Sequence, residues 1–111
     1  MSHSLKRNTL FTADVQRQFS WYWDEAGEEV AWRFERAVED TLRFLSQHSE
    51  SGRQRRFHEP ELNQLRSYRV IPPFNKHLLF FRLAAGTLEA WRLMHGARDL
   101  PRRLLDSSGT E

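Results

Sequence analysis

The hydrophobic period of this chain changes once, and that change limits what it can fold into. Between Val15 and Leu45 apolar residues recur every three or four positions; from Arg66 onward they recur every two. The first spacing is one face of a helix, and the second is one side of a strand. Helices followed by strands imply an α+β fold: an N-terminal helical hairpin packed on one face of a small antiparallel β-sheet.

The hairpin can be read residue by residue. Val15, Phe19, Tyr22, Trp23 and Ala26 make the first stripe. Thr12 is the expected N-cap, Asp14 falls in the first turn, where negative charge suits the helix N-terminus, and Gly27 ends the helix. Val30, Phe34, Ala37, Val38, Thr41, Leu42, Phe44 and Leu45 make the second stripe, with Glu29, Arg36, Glu39, Asp40 and Arg43 opposite. A link this short forces the two helices antiparallel. Residues 5 to 11 read as a short strand leading in. Trp21 and Trp32 project away from both stripes, among charged neighbours. Either they contact a partner, where such rings are enriched, or they cover each other across the hairpin.

Residues 46 to 65 are polar and include Gly52 and Pro60, which reads as a loop with one helical turn near its end. Its charge run "RQRR", 53 to 56, reads as a solvated segment. "RSYRVI", "KHLLFFRL" and "TLEAWRLMH" then alternate as strands of a meander, with turns at "PPFN" and "AAGT". A two-residue turn at Ala85 and Gly86 sets 82 opposite 89 and 76 opposite 95. A four-residue loop at "PPFN" sets 69 opposite 78. Tyr68, Val70, Leu79, Phe81, Leu83, Leu88, Ala90 and Met94 then face the helices, together with Arg66, His77 and Arg92. The other face carries Arg69, Lys76, Leu78, Phe80, Arg82, Glu89, Trp91, Leu93 and His95, and is expected to be open. A slip of one residue would invert these assignments.

At 111 residues the chain is expected to form one domain, 1 to 111, with 106 to 111 as a disordered tail. There is no cysteine, which excludes disulfide and thiolate chemistry and fits a cytoplasmic protein. The apolar run "LLFF" is too short to span a membrane, and the N-terminus does not read as a signal peptide. Residues 12 to 50 hold four arginines against nine acidic residues, and residues 53 to 105 hold eleven basic residues against four acidic ones. Such a basic half is either ordinary solubility charge or a surface for phosphates or an acidic partner.

No metal site is expected, because the five histidines are scattered, and no cofactor is expected, because there is no glycine-rich phosphate loop. The open sheet face offers a weaker signal. Arg69, Lys76 and Arg82 with His95, interleaved with Phe80 and Trp91, are what single-stranded RNA favours. His95 as proton carrier and Arg82 as phosphate clamp would be the catalytic pair of a ribonuclease. Equally, Arg82 can pair with Glu89 across the strands and His95 can bond to backbone.

The run "AWRFERAVEDTLRFLSQH", the glycine of "SGR", the strand entry "LRSYRV", "HLLFFRL" and above all "HGARDLPRRLL" together resemble the RelE/ParE superfamily of type II toxin–antitoxin toxins, on its ParE side. The likeness runs from about Leu10 to Leu105. It implies a growth-inhibiting toxin held inactive by a cognate antitoxin. ParE-type members poison DNA gyrase; RelE-type members cut messenger RNA on the ribosome. Arg82 and His95 are the nearest equivalents of the RNA-cutting residues, with Arg69, Lys76 and Arg98 as substrate contacts. This chain has no tyrosine after its last strand and no lysine-rich stretch in its second helix, which weighs against RNA cleavage. The segment "ARDLPRRLL" is expected to lie along the sheet edge. There Leu100, Leu104 and Leu105 pack while Arg98, Arg102 and Arg103 meet target or antitoxin; the alternative is a strap that completes the core. The antitoxin is expected near Trp21 and Trp32, through an acidic amphipathic segment that folds as it binds.

Overall fold

A computed structural model describes residues 2 to 96 and 100 to 105. The elements run β1 (Ser4–Arg7), α1 (Thr9–Ala26), α2 (Glu28–Gln47), β2 (Arg53–Gln54), β3 (Arg66–Arg69), β4 (His77–Ala84), β5 (Thr87–His95) and α3 (Leu100–Leu105). Single 3₁₀ turns occupy Ser49–Ser51 and Pro60–Leu62. The five strands form one sheet in the order β1-β5-β4-β3-β2. The α+β architecture is as expected, but the sheet is mixed: β1 runs parallel to β5. The tail 106 to 111 lies outside the described residues.

Helix α1 starts three residues before the expected cap. Asn8, not Thr12, caps it, its side chain accepting from the Phe11 amide at 2.9 Å. Asp14 therefore lies a turn and a half into the helix, where the stripe of α1 faces the sheet. Gly27 joins the helices at φ 101°, a backbone conformation that favours glycine. The two helices pack Phe11, Phe34, Val38, Leu42 and Leu45 against Val70, Leu79, Phe81, Leu88, Ala90 and Leu93 of the sheet. Thr41 adds a tie, accepting from the Ile71 amide while donating to the Ala37 carbonyl. Gly52 is needed on steric grounds, because a Cβ there would sit 2.4 Å from the buried Phe81 ring.

The β4–β5 turn has Ala85 at φ 49° and Gly86 at φ 81°, the two-residue type whose twist suits a hairpin. Arg82 faces Glu89 and Arg69 faces Leu78, as expected. Between them the ladder shifts: Phe81 pairs with Ala90 but Phe80 pairs with Arg92. Trp91 is the extra residue of a β-bulge, and every later residue of β5 changes face. His95 consequently faces His77, not Lys76. Leu93 joins the helix-side core, and Met94 joins the other side.

The expectation of an open second face is corrected here. Leu62 and Leu65 from the long loop and Leu104 from α3 pack on Leu78, Phe80 and Met94, forming a second buried cluster. Phe57 and Trp91 rim it. The C-terminal segment is a short helix whose Leu104 is fully buried while Leu105 stays exposed, so its described part acts as the strap.

Candidate functional site

Where β1 ends, past Ala90, the edge of β5 has no neighbouring strand among the described residues. Asp14 of α1 takes that place. Its carboxylate accepts from the Leu93 amide at 3.0 Å and from Arg92 at 2.8 and 3.0 Å. Arg92 also donates to the carbonyls of Leu104 at 3.1 Å and Arg103 at 3.3 Å. One buried ion pair thus joins helix, sheet and C-terminal strap. The sequence signal was a carboxylate inside an apolar stripe, opposite an arginine in a strand.

Beside this joint, between α1, β5 and α3, lies a groove of about 540 Å³ lined by Arg17, Trp21, Tyr22, Lys76, His95 and Arg103, among others. Four of the residues singled out from sequence meet here: Trp21, Lys76, His95 and Arg103. Arg103 donates to the His95 carbonyl at 3.1 Å. The exposed His95 ring stands 4.9 Å from that of His77, whose Nε2 pairs with the Tyr22 hydroxyl at 2.9 Å. Burial first, and the neighbouring His95 second, lower the His77 pKa to about 4. Burial also raises that of Tyr22. His77 is therefore a neutral part of the packing at neutral pH, and the groove is lined by cationic and aromatic side chains together with Gln18. The Asp14 carboxylate at its floor is already engaged by Arg92 and Arg17.

Other singled-out residues lie elsewhere. Arg82 donates to the carbonyls of Glu61 at 2.6 Å and Asn63 at 3.1 Å, and its guanidinium lies 5.3 Å from the Trp91 ring centre. It ties the long loop to the sheet, and among the described residues it makes no ion pair with the facing Glu89. Arg82 and His95 do not converge. His77, opposite His95, is five residues from Arg82 along β4, or about 16 Å. The bulge also puts the two side chains on opposite faces. Arg69 sits at the far sheet edge and donates to the Asn75 carbonyl at 2.9 Å. Arg98 lies outside the described residues, and Arg102 is exposed on α3.

Trp21 and Trp32 are 54% and 52% exposed and do not cover each other. Trp21 packs edge-on against Tyr22, with ring centres 5.3 Å apart, and Trp32 against Phe19 at 4.9 Å. Trp32 lines a shallow depression on α2 with Glu28, Glu29, Arg33 and Arg36. Among the described residues no helix is long and apolar enough to cross a membrane, and no cluster of three His, Asp or Glu side chains is placed to hold a metal.

A family model described as "ParE toxin of type II toxin-antitoxin system, parDE" matches residues 5–100. The chain belongs to the ParE toxin family. It is the toxin component of a type II toxin–antitoxin system, and the family implies an antitoxin partner. A solved structure titled "Chromosomal ParDE TA system from P. aeruginosa" holds a chain of the same fold, with a TM-score of 0.69 and 19% identity, covering 86% of this toxin and 98% of that chain. No curated protein matches the toxin's sequence.

Proposed function

We propose that the toxin inhibits growth in the cytoplasm by binding and poisoning DNA gyrase, and that it acts as a binding protein without catalysing RNA cleavage. The observation that carries this reading is the separation of Arg82 from His95. Proton transfer and phosphate stabilisation must act on one reacting group, within hydrogen-bond reach of it. Arg82 instead spends two donors on loop carbonyls. The end groove has the composition of a protein-contact site, with an exposed tryptophan framed by arginine, lysine and histidine. Trp21, Lys76, His95 and Arg103 are its target contacts in this reading.

The test is induction of the toxin without its antitoxin. Gyrase poisoning predicts DNA-damage signalling while transcripts stay intact, and inhibition of supercoiling by the purified toxin. Early transcript cleavage, abolished by Arg82→Ala or His95→Ala, would instead establish the ribonuclease alternative. Arrested growth is expected in either case; no arrest would mark an inactive binding module.

The antitoxin is proposed to cover Trp21 and Trp32 on the hairpin and Arg102 and Arg103 on α3, through an acidic amphipathic segment. The aromatic rings supply apolar area, and the arginines supply charge complementarity. Double substitution of both tryptophans by alanine is expected to weaken the complex at least tenfold. Unchanged affinity would move the interface elsewhere.

A further inference from the structure

The charge run at 53 to 56 has no part in the end groove, yet the fold gives it a definite shape. Arg53 pairs with Ser67 across β2 and β3, and the Arg55 amide continues the ladder to the Leu65 carbonyl. Arg53 and Arg55 therefore point to one face, about 7 Å apart along the chain. Ser67 and Arg69 share that face, since they stand opposite Phe80 and Leu78 of the second cluster. The three arginines line a groove of about 500 Å³ at the sheet edge, with Ser67, Asn75, Ile71 and Pro72.

Three features distinguish this groove from ordinary surface charge. Among the described residues no acidic side chain lines it and none of the three arginines has an ion-pair partner. Arg55 is also held in place: its Nε donates to the Ser67 hydroxyl at 2.8 Å and its guanidinium lies 5.7 Å from the Phe80 ring centre. Its two terminal nitrogens have no partner among the described residues. Desolvation first, then Arg53 and Arg69, lower the Arg55 pKa, so the guanidiniums crowd one another and an anion would relieve that crowding.

We propose that Arg53, Arg55 and Arg69 form a site for the phosphodiester backbone of nucleic acid, bound without regard to sequence. Guanidinium groups present paired N–H donors that match phosphate oxygens, and a stripe of them tracks a repeating phosphate chain. Ile71, 38% exposed at the rim, offers a sugar or base an apolar rest. An acidic peptide is the less favoured occupant. Its usual route to such an edge is strand addition, and β2 has only two residues to template it. The site stands whether or not gyrase is the toxin's target.

The test is fluorescence anisotropy of a labelled mixed-sequence DNA strand with the full-length toxin across a salt series. R53Q/R55Q/R69Q is expected to weaken binding at least tenfold and to flatten the log–log salt slope by about 2, from three lost phosphate contacts. R33Q/R36Q/R43Q, which removes the same charge from exposed positions of α2, is expected to change affinity less than about twofold, because long-range charge is screened. Lysine at the three groove positions should restore most of the slope. The single exposed R53Q, expected to flatten the slope by about 0.7, carries the test if the triple variant does not fold. Wild-type binding by the triple variant, or an equal loss in the α2 control, overturns the proposal. So does poly-glutamate binding that needs the three arginines while DNA binding does not.

Discussion

The two faces of the sheet are closed by different kinds of chain. The helix side is covered by two long amphipathic helices whose stripes bring Phe11, Phe34, Val38, Leu42 and Leu45 to it in regular order. The other side is covered by pieces: Leu62 and Leu65 from an irregular loop, and Leu104 from a six-residue helix near the end of the chain. Both clusters contain side chains with no exposed surface. Periodic cover is cooperative, because each helical residue is held by its neighbours. Patchwork cover depends on separate anchors, which here are the Arg82 bonds to the loop and the Arg92 bonds to α3.

The largest effect is expected where the two covers meet. Asp14→Ala would remove the carboxylate paired with Arg92, which is 2% exposed. Breaking a buried pair this way costs about 3–5 kcal/mol. Urea unfolding should show it, together with weakened protection of α3 in hydrogen exchange; a loss under about 1 kcal/mol would mean that the joint is not structural.

Two leucines compare the faces directly. Leu42 and Leu104 are both fully buried, one under each cover. Leu42→Ala is expected to cost about 4 kcal/mol and Leu104→Ala about 2 kcal/mol, because α3 can shift into the space and the helical core cannot. Equal losses would show that the patchwork side is as rigid as the helical one.

A smaller effect separates the faces by pH. His77, on the helix side, is held neutral by burial, with its pKa at about 4 against 6.5 when unfolded. The unfolded chain therefore binds a proton more readily, so stability is full above about pH 6.5 and declines as the pH falls toward 4. Between pH 7 and pH 5 the loss from this group is about 2 kcal/mol, which unfolding of wild type beside His77→Gln would isolate. The smallest expected effect is Asn8→Ala, about 1 kcal/mol from the lost N-cap of α1, read as a drop in the thermal midpoint. No change there would place the cap elsewhere.

This contrast also governs how much the sequence revealed. The hairpin, its partner face and both turns of the meander follow from spacing, and so do the pairings of Arg82 with Glu89 and Arg69 with Leu78. The bulge at Trp91 does not. A single extra residue leaves the alternation of β5 looking regular, yet it sends His95 and Leu93 to the helix side. The second cover was legible only at Leu104, which was expected to pack; Leu62 and Leu65 are isolated apolar residues in a polar loop, with no period to mark them. The end groove was half legible. Trp21, Lys76, His95 and Arg103 stood out by type, but their meeting depends on the bulge and on the Asp14–Arg92 pair. Asp14 read as a first-turn acid because the helix start was placed too late.

The central claim is that Arg82 holds the loop over the sheet while the toxin acts by binding. The most direct measurement is gyrase inhibition titrated with Arg82→Met, expressed per folded molecule. The account predicts inhibition equal to wild type, with fewer molecules folded at a given temperature. Inhibition lost by a variant as stable as wild type would contradict it, as would a wild-type toxin that leaves gyrase untouched.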